Sequence, residues 1–313
     1  VNELLVEPFR LPYMQRALLE VLLLGALAGV VGVFVVLRRL AFVSDALTHT
    51  IFPGVVIAHL LDRSLLLGAL AFGVLTAVLL TGITSSSRRV GADAALAILL
   101  TSFFSLGVVL VSRTRTYTAD LTVFLFGRVL AVDRADLLQT LALAAVVTGT
   151  LWALRKELVL RAFDPDGAAA MGYRTATLDL VLNLLIALVV VAAVKAVGTV
   201  LVVALIVVPA AAARLLADRV ATTVVLACAF GALGGWLGLA ASYEVSVDHG
   251  VRLASGATIV VVLVGLFALA AAAAPLRRRG PGNPEGVPRW TRRGPGNPEG
   301  VLRWKRAPSG VPR

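Results

Sequence analysis

Ser255-Gly-Ala-Thr-Ile-Val-Val-Val-Leu-Val-Gly-Leu-Phe-Ala-Leu-Ala-Ala-Ala-Ala-Ala274 runs for twenty residues without a charge and is followed by Pro275-Leu-Arg-Arg-Arg279. At about 1.5 Å per residue, a helix of that length covers about 30 Å, the thickness of a bilayer's hydrocarbon core. Comparable apolar runs occupy residues 17–37, 64–83, 92–112, 135–154, 177–196, 199–215 and 220–242, and a more polar one lies at 43–61. They are too long and too evenly apolar to alternate as barrel strands, and backbone in hydrocarbon has to satisfy its own hydrogen bonds. The expected architecture is therefore all-α, a polytopic membrane bundle of about 8–9 transmembrane helices, with counts of eight to ten compatible with the run boundaries. Residues 121–132 are too short to cross and read as a re-entrant or interfacial helix. Composition agrees: 59% hydrophobic and 15% charged residues, with mean hydropathy +0.92 over 313 residues, is more apolar surface than a soluble domain buries.

The net charge of +11 resembles a nucleic-acid signal until it is located. Residues 277–313 hold nine arginines and one lysine against Glu285 and Glu299, so +8 sits in this tail and +3 in the membrane body. No nucleic-acid partner is expected; a basic flank directly after a last span faces anionic lipid. The chain divides into a membrane domain, 1–276, and a tail, 277–313. The tail repeats Arg278-Arg-Gly-Pro-Gly-Asn-Pro-Glu-Gly-Val as Arg292-Arg-Gly-Pro-Gly-Asn-Pro-Glu-Gly-Val. Proline and glycine at that density predict disorder.

Basic clusters at 38–39, 88–89, 155–161, 214–219 and 277–279 belong in the cytoplasm by the positive-inside rule. That puts the tail inside, residues 242–252 outside and, with Arg113, Arg115 and Arg128 as exceptions, the N-terminus outside. Residues 1–16 contain Glu3 and Glu7 and lack a basic leader region, so the first apolar run is expected to stay as an anchor.

Within the polar span stands Ala41-Phe-Val-Ser-Asp-Ala-Leu-Thr-His-Thr-Ile-Phe-Pro-Gly54. Asp45 and His49, at i and i+4, project from one helix face, and ionisable side chains inside a membrane mark function. Carboxylate and imidazole are ligands for zinc, manganese or iron; one pair is half a site, and two copies about a twofold axis would complete it. A packing hydrogen bond between the two is the structural alternative. Pro53 and Gly54 break or bend the same helix.

Other polar positions read more plainly. His59, about 80° around the helix from His49, is expected at the interface, and Lys195 to snorkel from a span end. Asp179 and Asn183 share a face and read as a packing contact; Glu244, Asp248 and His249 read as a solvated outer loop, and Cys228, the one cysteine, as a core residue. Asp164 followed by Pro165 predicts an N-cap and a short helix ending near Gly172, on the cytoplasmic side. There is no G-x-x-x-x-G-K-[ST], H-E-x-x-H or G-x-S-x-G, so nucleotide binding and common hydrolase chemistry have no motif here.

Val35-Val-Leu-Arg-Arg-Leu-Ala-Phe-Val-Ser-Asp-Ala-Leu-Thr-His-Thr-Ile-Phe-Pro-Gly54 resembles the hallmark of the permease subunits of ABC importers for zinc, manganese and iron. Leu125-Phe-Gly127, Phe163-Asp164 with Ala170-Met-Gly172, Gly198 through Val208-Pro-Ala210, and Ser255-Gly-Ala-Thr258 resemble it further, over about residues 8–274. Ser44 stands where glycine is usual, Thr48 where serine is usual and Ala254 where proline is common.

The resemblance implies that Asp45 and His49 pass the metal, and that Phe163, Asp164, Ala170 and Gly172 belong to a coupling helix touching a separate ABC ATPase subunit. It also implies an extracytoplasmic metal-binding protein and a second permease copy or paralogue as partners, in the cell membrane. The permease is then no enzyme and holds no permanent cofactor; a divalent zinc, manganese or iron ion is its cargo. Homodimer and heterodimer stay open, as do two other readings: a permease for metal chelates and an ion-coupled secondary transporter.

Overall fold

A computed structural model describes residues 7–86, 90–112, 127–248 and 254–278. After a 3₁₀ turn at Glu7–Arg10, Pro12 opens α1 (Pro12–Leu37), where its missing N–H costs nothing. Then come α2 (Ala41–Thr50) and α3 (Phe52–Leu60), which together form one span, followed by α4 (Leu65–Ser86) and α5 (Ala92–Val111). A 3₁₀ turn at Val129–Ala131 precedes α6 (Arg134–Ala153), α7 (Arg155–Phe163), α8 (Pro165–Ala170), α9 (Thr175–Leu216), α10 (Val220–Asp248) and α11 (Ser255–Arg278). No strand occurs among the described residues. The all-α membrane bundle expected from the apolar runs is what forms.

Eight of these helices are long and apolar enough to cross a membrane, α2 and α3 counting together. One of them, α9, is 42 residues long and contains Gly198 at φ 79°, ψ 166°, a conformation open in practice only to glycine. The chain turns back there. Asp179 meets Arg38 at the end of α1, and Ala210 and Ala213 cluster with Val33, Val36 and Leu37 of the same end. Along a straight helix Asp179 and Ala210 would stand about 46 Å apart. Residues 175–197 and 199–216 are thus two passes, which makes nine among the described residues, the expected set of runs.

The break is sealed by a second glycine. The Arg128 N–H donates to the Ala196 carbonyl at 3.0 Å, and Gly127, at φ 71°, lies so close to Val197 and Gly198 that a Cβ would enter their backbone. Of the stretch expected as a re-entrant helix, residues 121–126 lie outside the described residues, and the remainder forms the 3₁₀ turn beside this break.

The folded α9 is central, touching α1, α2, α4, α6, α10 and α11. By contrast α5, α6 and α11 bury little of their apolar surface within the chain and face outward. Without a hydrophobic drive between helices in lipid, close backbone approach matters more, and small residues supply it. Gly25 and Gly29 of α1 meet Gly231 and the Ala227–Cys228 backbone of α10, and Gly32 meets the Ile206 carbonyl. Cys228 donates its S–H to the Ala26 carbonyl at 3.3 Å in this contact. Glu244 is not in a loop: α10 continues to Asp248, and Glu244 is half-buried on it. His249, the side chain of Asp248 and the repeated tail lie outside the described residues.

A Gly198→Ala variant forces a side chain into the left-handed, extended backbone of the reversal. It is expected to lose about 1–3 kcal/mol, read as a lower melting temperature of the detergent-solubilised protein; an unchanged melt would mean that the break adapts.

Candidate functional site

Asp45 and His49 lie on α2, His49 about 12 Å along the helix from Ala41 and so near the middle of its span. Both are half-buried, while their flanking Ser44 and Thr48 are buried and turn their hydroxyls back onto the Ala41 and Asp45 carbonyls, at 2.8 and 2.7 Å. Those local bonds leave the carboxylate and imidazole as the face's polar groups. His49 is braced edge-on by Phe104 of α5, ring centroids 5.7 Å apart, and Phe104 is itself exposed. Pro53 removes the amide that would close an i to i+4 bond onto the His49 carbonyl.

Gly54 has a role that its sequence setting did not announce. It abuts Gly68 of α4 backbone to backbone, so it fixes the seating of α3 rather than freeing it. Among the described residues no group of three His, Cys, Asp or Glu could hold a metal ion.

On the face of the bundle where α1 ends, Asp179 joins three elements. Arg38 Nη2 approaches its Oδ1 at 2.6 Å, and Arg161 Nη2 donates to its Oδ2 at 3.0 Å. Asp179 is thus a clamp for two arginines rather than the packing contact expected; Asn183, one turn on, is that contact, donating to Thr81 Oγ1 at 3.1 Å. The sequence signal was present in Arg38 and Arg161 but their convergence on one carboxylate was not.

The short helix follows immediately. The Asp164 carboxylate accepts from Gly167 N–H at 2.8 Å, and Pro165 occupies the first turn. Gly172, at φ 85°, ends it: the Gly172 and Tyr173 amides donate to the Ala169 and Ala168 carbonyls, a helix stop that needs a left-handed residue. Ala168 is buried, while Phe163, Ala170, Met171 and Tyr173 are exposed, so α8 is anchored on one side and presents apolar groups on the other.

At the opposite end of α1, a cavity of about 480 Å³ opens between α1, α3, α4, α6 and α9. It holds residues missed in the sequence. Glu20 is wholly buried and accepts from Thr140 Oγ1 at 2.8 Å. Asp136 is bonded to Lys195, which therefore does not simply snorkel. His59 also lines this cavity, exposed in the last turn of α3. Asp45 and His49 do not line it.

The family model described as "ABC 3 transport family" matches residues 10–274. The manganese transport system membrane protein MntC of Halalkalibacterium halodurans is 42% identical over 258 residues, 82% of this chain and 86% of that protein. The manganese import system permease protein ScaB of Streptococcus parasanguinis is 35% identical over 267 residues, 85% of this chain and 92% of that protein. Among solved structures, PsaBC from Streptococcus pneumoniae in complex with Fab is similar at TM-score 0.75 and 32% identity, covering 88% of this chain and 97% of that one.

Asp179→Asn leaves two arginines against a neutral amide. A loss of about 1–3 kcal/mol is expected, measured as a lower unfolding midpoint in denaturing detergent; a midpoint equal to the parent's would show that the clamp adds nothing.

Proposed function

We propose that this chain, which belongs to the ABC 3 transport family, is the membrane permease subunit of an ATP-driven importer that carries a divalent transition metal ion into the cell. The relatives' names favour manganese over zinc and iron, and a bare ion over a chelate. The chain is a transporter rather than an enzyme, and ATP hydrolysis belongs to a partner subunit.

One observation carries the reading: a carboxylate and an imidazole stand partly exposed at mid-span of a single chain. Facing lipid, such groups would be costly. A second permease, copy or paralogue, covers them and brings an equivalent pair, giving oxygen and nitrogen ligands on both sides of a shared path. Asp45 and His49 then strip part of the ion's water and release it onward, since two ligands per chain bind weakly enough to let go. Lateral separation of the two flanks, with α3 held to α4 through Gly54 and Gly68, lets the site open to one side and then the other.

The arginine-rich face, with Arg38 and Arg161, is the cytoplasmic one by the positive-inside rule. On this orientation the N-terminal end of α1 is proposed to lie outside and the basic tail, 277–313, inside. On the cytoplasmic face α8, capped by Asp164 and closed by Gly172, offers Phe163, Ala170 and their exposed neighbours to the ATPase. A rigid, capped element transmits a push that a loop would absorb. An extracytoplasmic metal-binding protein delivers the ion on the opposite face.

The test is radioactive manganese uptake by cells carrying the Asp45→Ala, His49→Ala double variant. Uptake is expected to fall by more than about tenfold while the variant still copurifies with its ATPase subunit. Accumulation at the parent rate would remove both residues from the path.

A further inference from the structure

The cavity on the outer face contains an unfinished ionic arrangement. Glu20 is 0% exposed, and only one of its carboxyl oxygens is satisfied: Oε1 accepts from Thr140, while Oε2 has no hydrogen-bond partner among the described residues. Glu20 belongs to the cavity lining, and a buried carboxylate with an unpaired oxygen there calls for a positive partner. Asp136 lies one helical turn before Thr140 on α6, so the two carboxylates share a wall.

Asp136 is held in place by its own helix start. Asp133 accepts from the Asp136 N–H at 2.7 Å, and Asp136 Oδ2 faces the Asp133 N–H at 3.4 Å, a reciprocal cap that fixes the side chain. Its Oδ1 is left for Lys195. Lys195 stands on a flexible stem and its side chain is 55% exposed, against 23% for Asp136, so the ammonium can swing to solvent. Arg128 also lines the cavity but is exposed at its rim.

We propose that this cavity is a second cation site, distinct from the Asp45 and His49 pair, in which Glu20 and Asp136 hold a hydrated hard divalent cation and Lys195 is the tethered cation it displaces. The donors proposed here are the oxygens of Glu20 and Asp136, the kind that manganese, magnesium or calcium takes, and His59 elsewhere on the cavity wall is not one of them. Two carboxylates leave most of the coordination shell to water, so the ion is captured without being stripped. The site lies within one chain and needs no second copy; it rests on the importer reading only for which cation it meets in the cell.

The experiment titrates Mn²⁺ into the full-length chain in lipid nanodiscs and reads the loss of the free-ion signal by electron paramagnetic resonance. All variants carry Asp45→Ala and His49→Ala, so the seam pair is already gone and a failure there cannot be mistaken for a failure here. Residual Mn²⁺ binding is expected in this background, weakened by about tenfold or more in Glu20→Gln or Asp136→Asn and tightened about threefold or more in Lys195→Gln. The amide introduced by Glu20→Gln keeps an acceptor for Thr140, and the melting temperature of each variant checks folding. No residual binding overturns the site, as does binding indifferent to both Glu20→Gln and Asp136→Asn, the result expected if Oε2 carries only a proton. Lys195→Gln that fails to tighten binding overturns the displacement.

Discussion

A helix that reverses at a single residue leaves the carbonyls of its last turn without their own amides, and the hydrogen bond from Arg128 N–H to the buried Ala196 carbonyl answers that need. Much of the bundle follows from it. Because Gly198 can take φ 79° and Gly127 can come within backbone contact, one apolar stretch becomes two passes at the centre of the fold. The reversal returns Ala210 and Ala213 to the end of α1 where Asp179 already sits, and leaves Lys195 at the other end, beside Asp136. Both polar regions of the molecule are therefore fixed by one turn.

The two ends use their ionic groups differently. On the arginine-rich face Asp179 draws Arg38 and Arg161 together, tying α1, α7 and α9 just before the capped helix α8. Such a tie, attached to a short rigid helix, suits an element that must move as a unit when a partner pushes it. On the other face Glu20 leaves Oε2 without a partner and Asp136 is bonded to a lysine whose side chain is largely exposed, an arrangement suited to exchange. Between them, at mid-span, Asp45 and His49 stand partly exposed. The proposed path runs from an outer cavity that gathers cations, across a seam shared with a second permease, to a mechanically braced inner face.

Local chemistry was legible in the sequence, and remote pairing was not. The passes followed from run length, including the division near Gly198, because hydrocarbon thickness sets helix length directly. Asp164 with Pro165 and Gly172 announced the bounds of α8, since caps depend on neighbours in sequence. Asp45 and His49 stood out because their spacing is itself helical geometry, and the half-buried face of α2 agrees with that spacing. Glu20 was hidden by the apolar run around it, and its partner Thr140 lies 120 residues away. Lys195 and Asp179 were assigned from their own helices alone, whereas their roles come from α6, α1 and α7. Glu244 was misplaced because α10 outlasts its apolar stretch, a helix continuing wherever its backbone stays bonded.

The most direct measurement is an anomalous-scattering map at the manganese edge from crystals of the assembled permease pair grown with Mn²⁺. A peak is expected at the seam between two permeases, bounded by Asp45 and His49 from this chain and their counterparts across it. A map in which these side chains face lipid, or in which the seam holds no metal under saturating Mn²⁺, would contradict it.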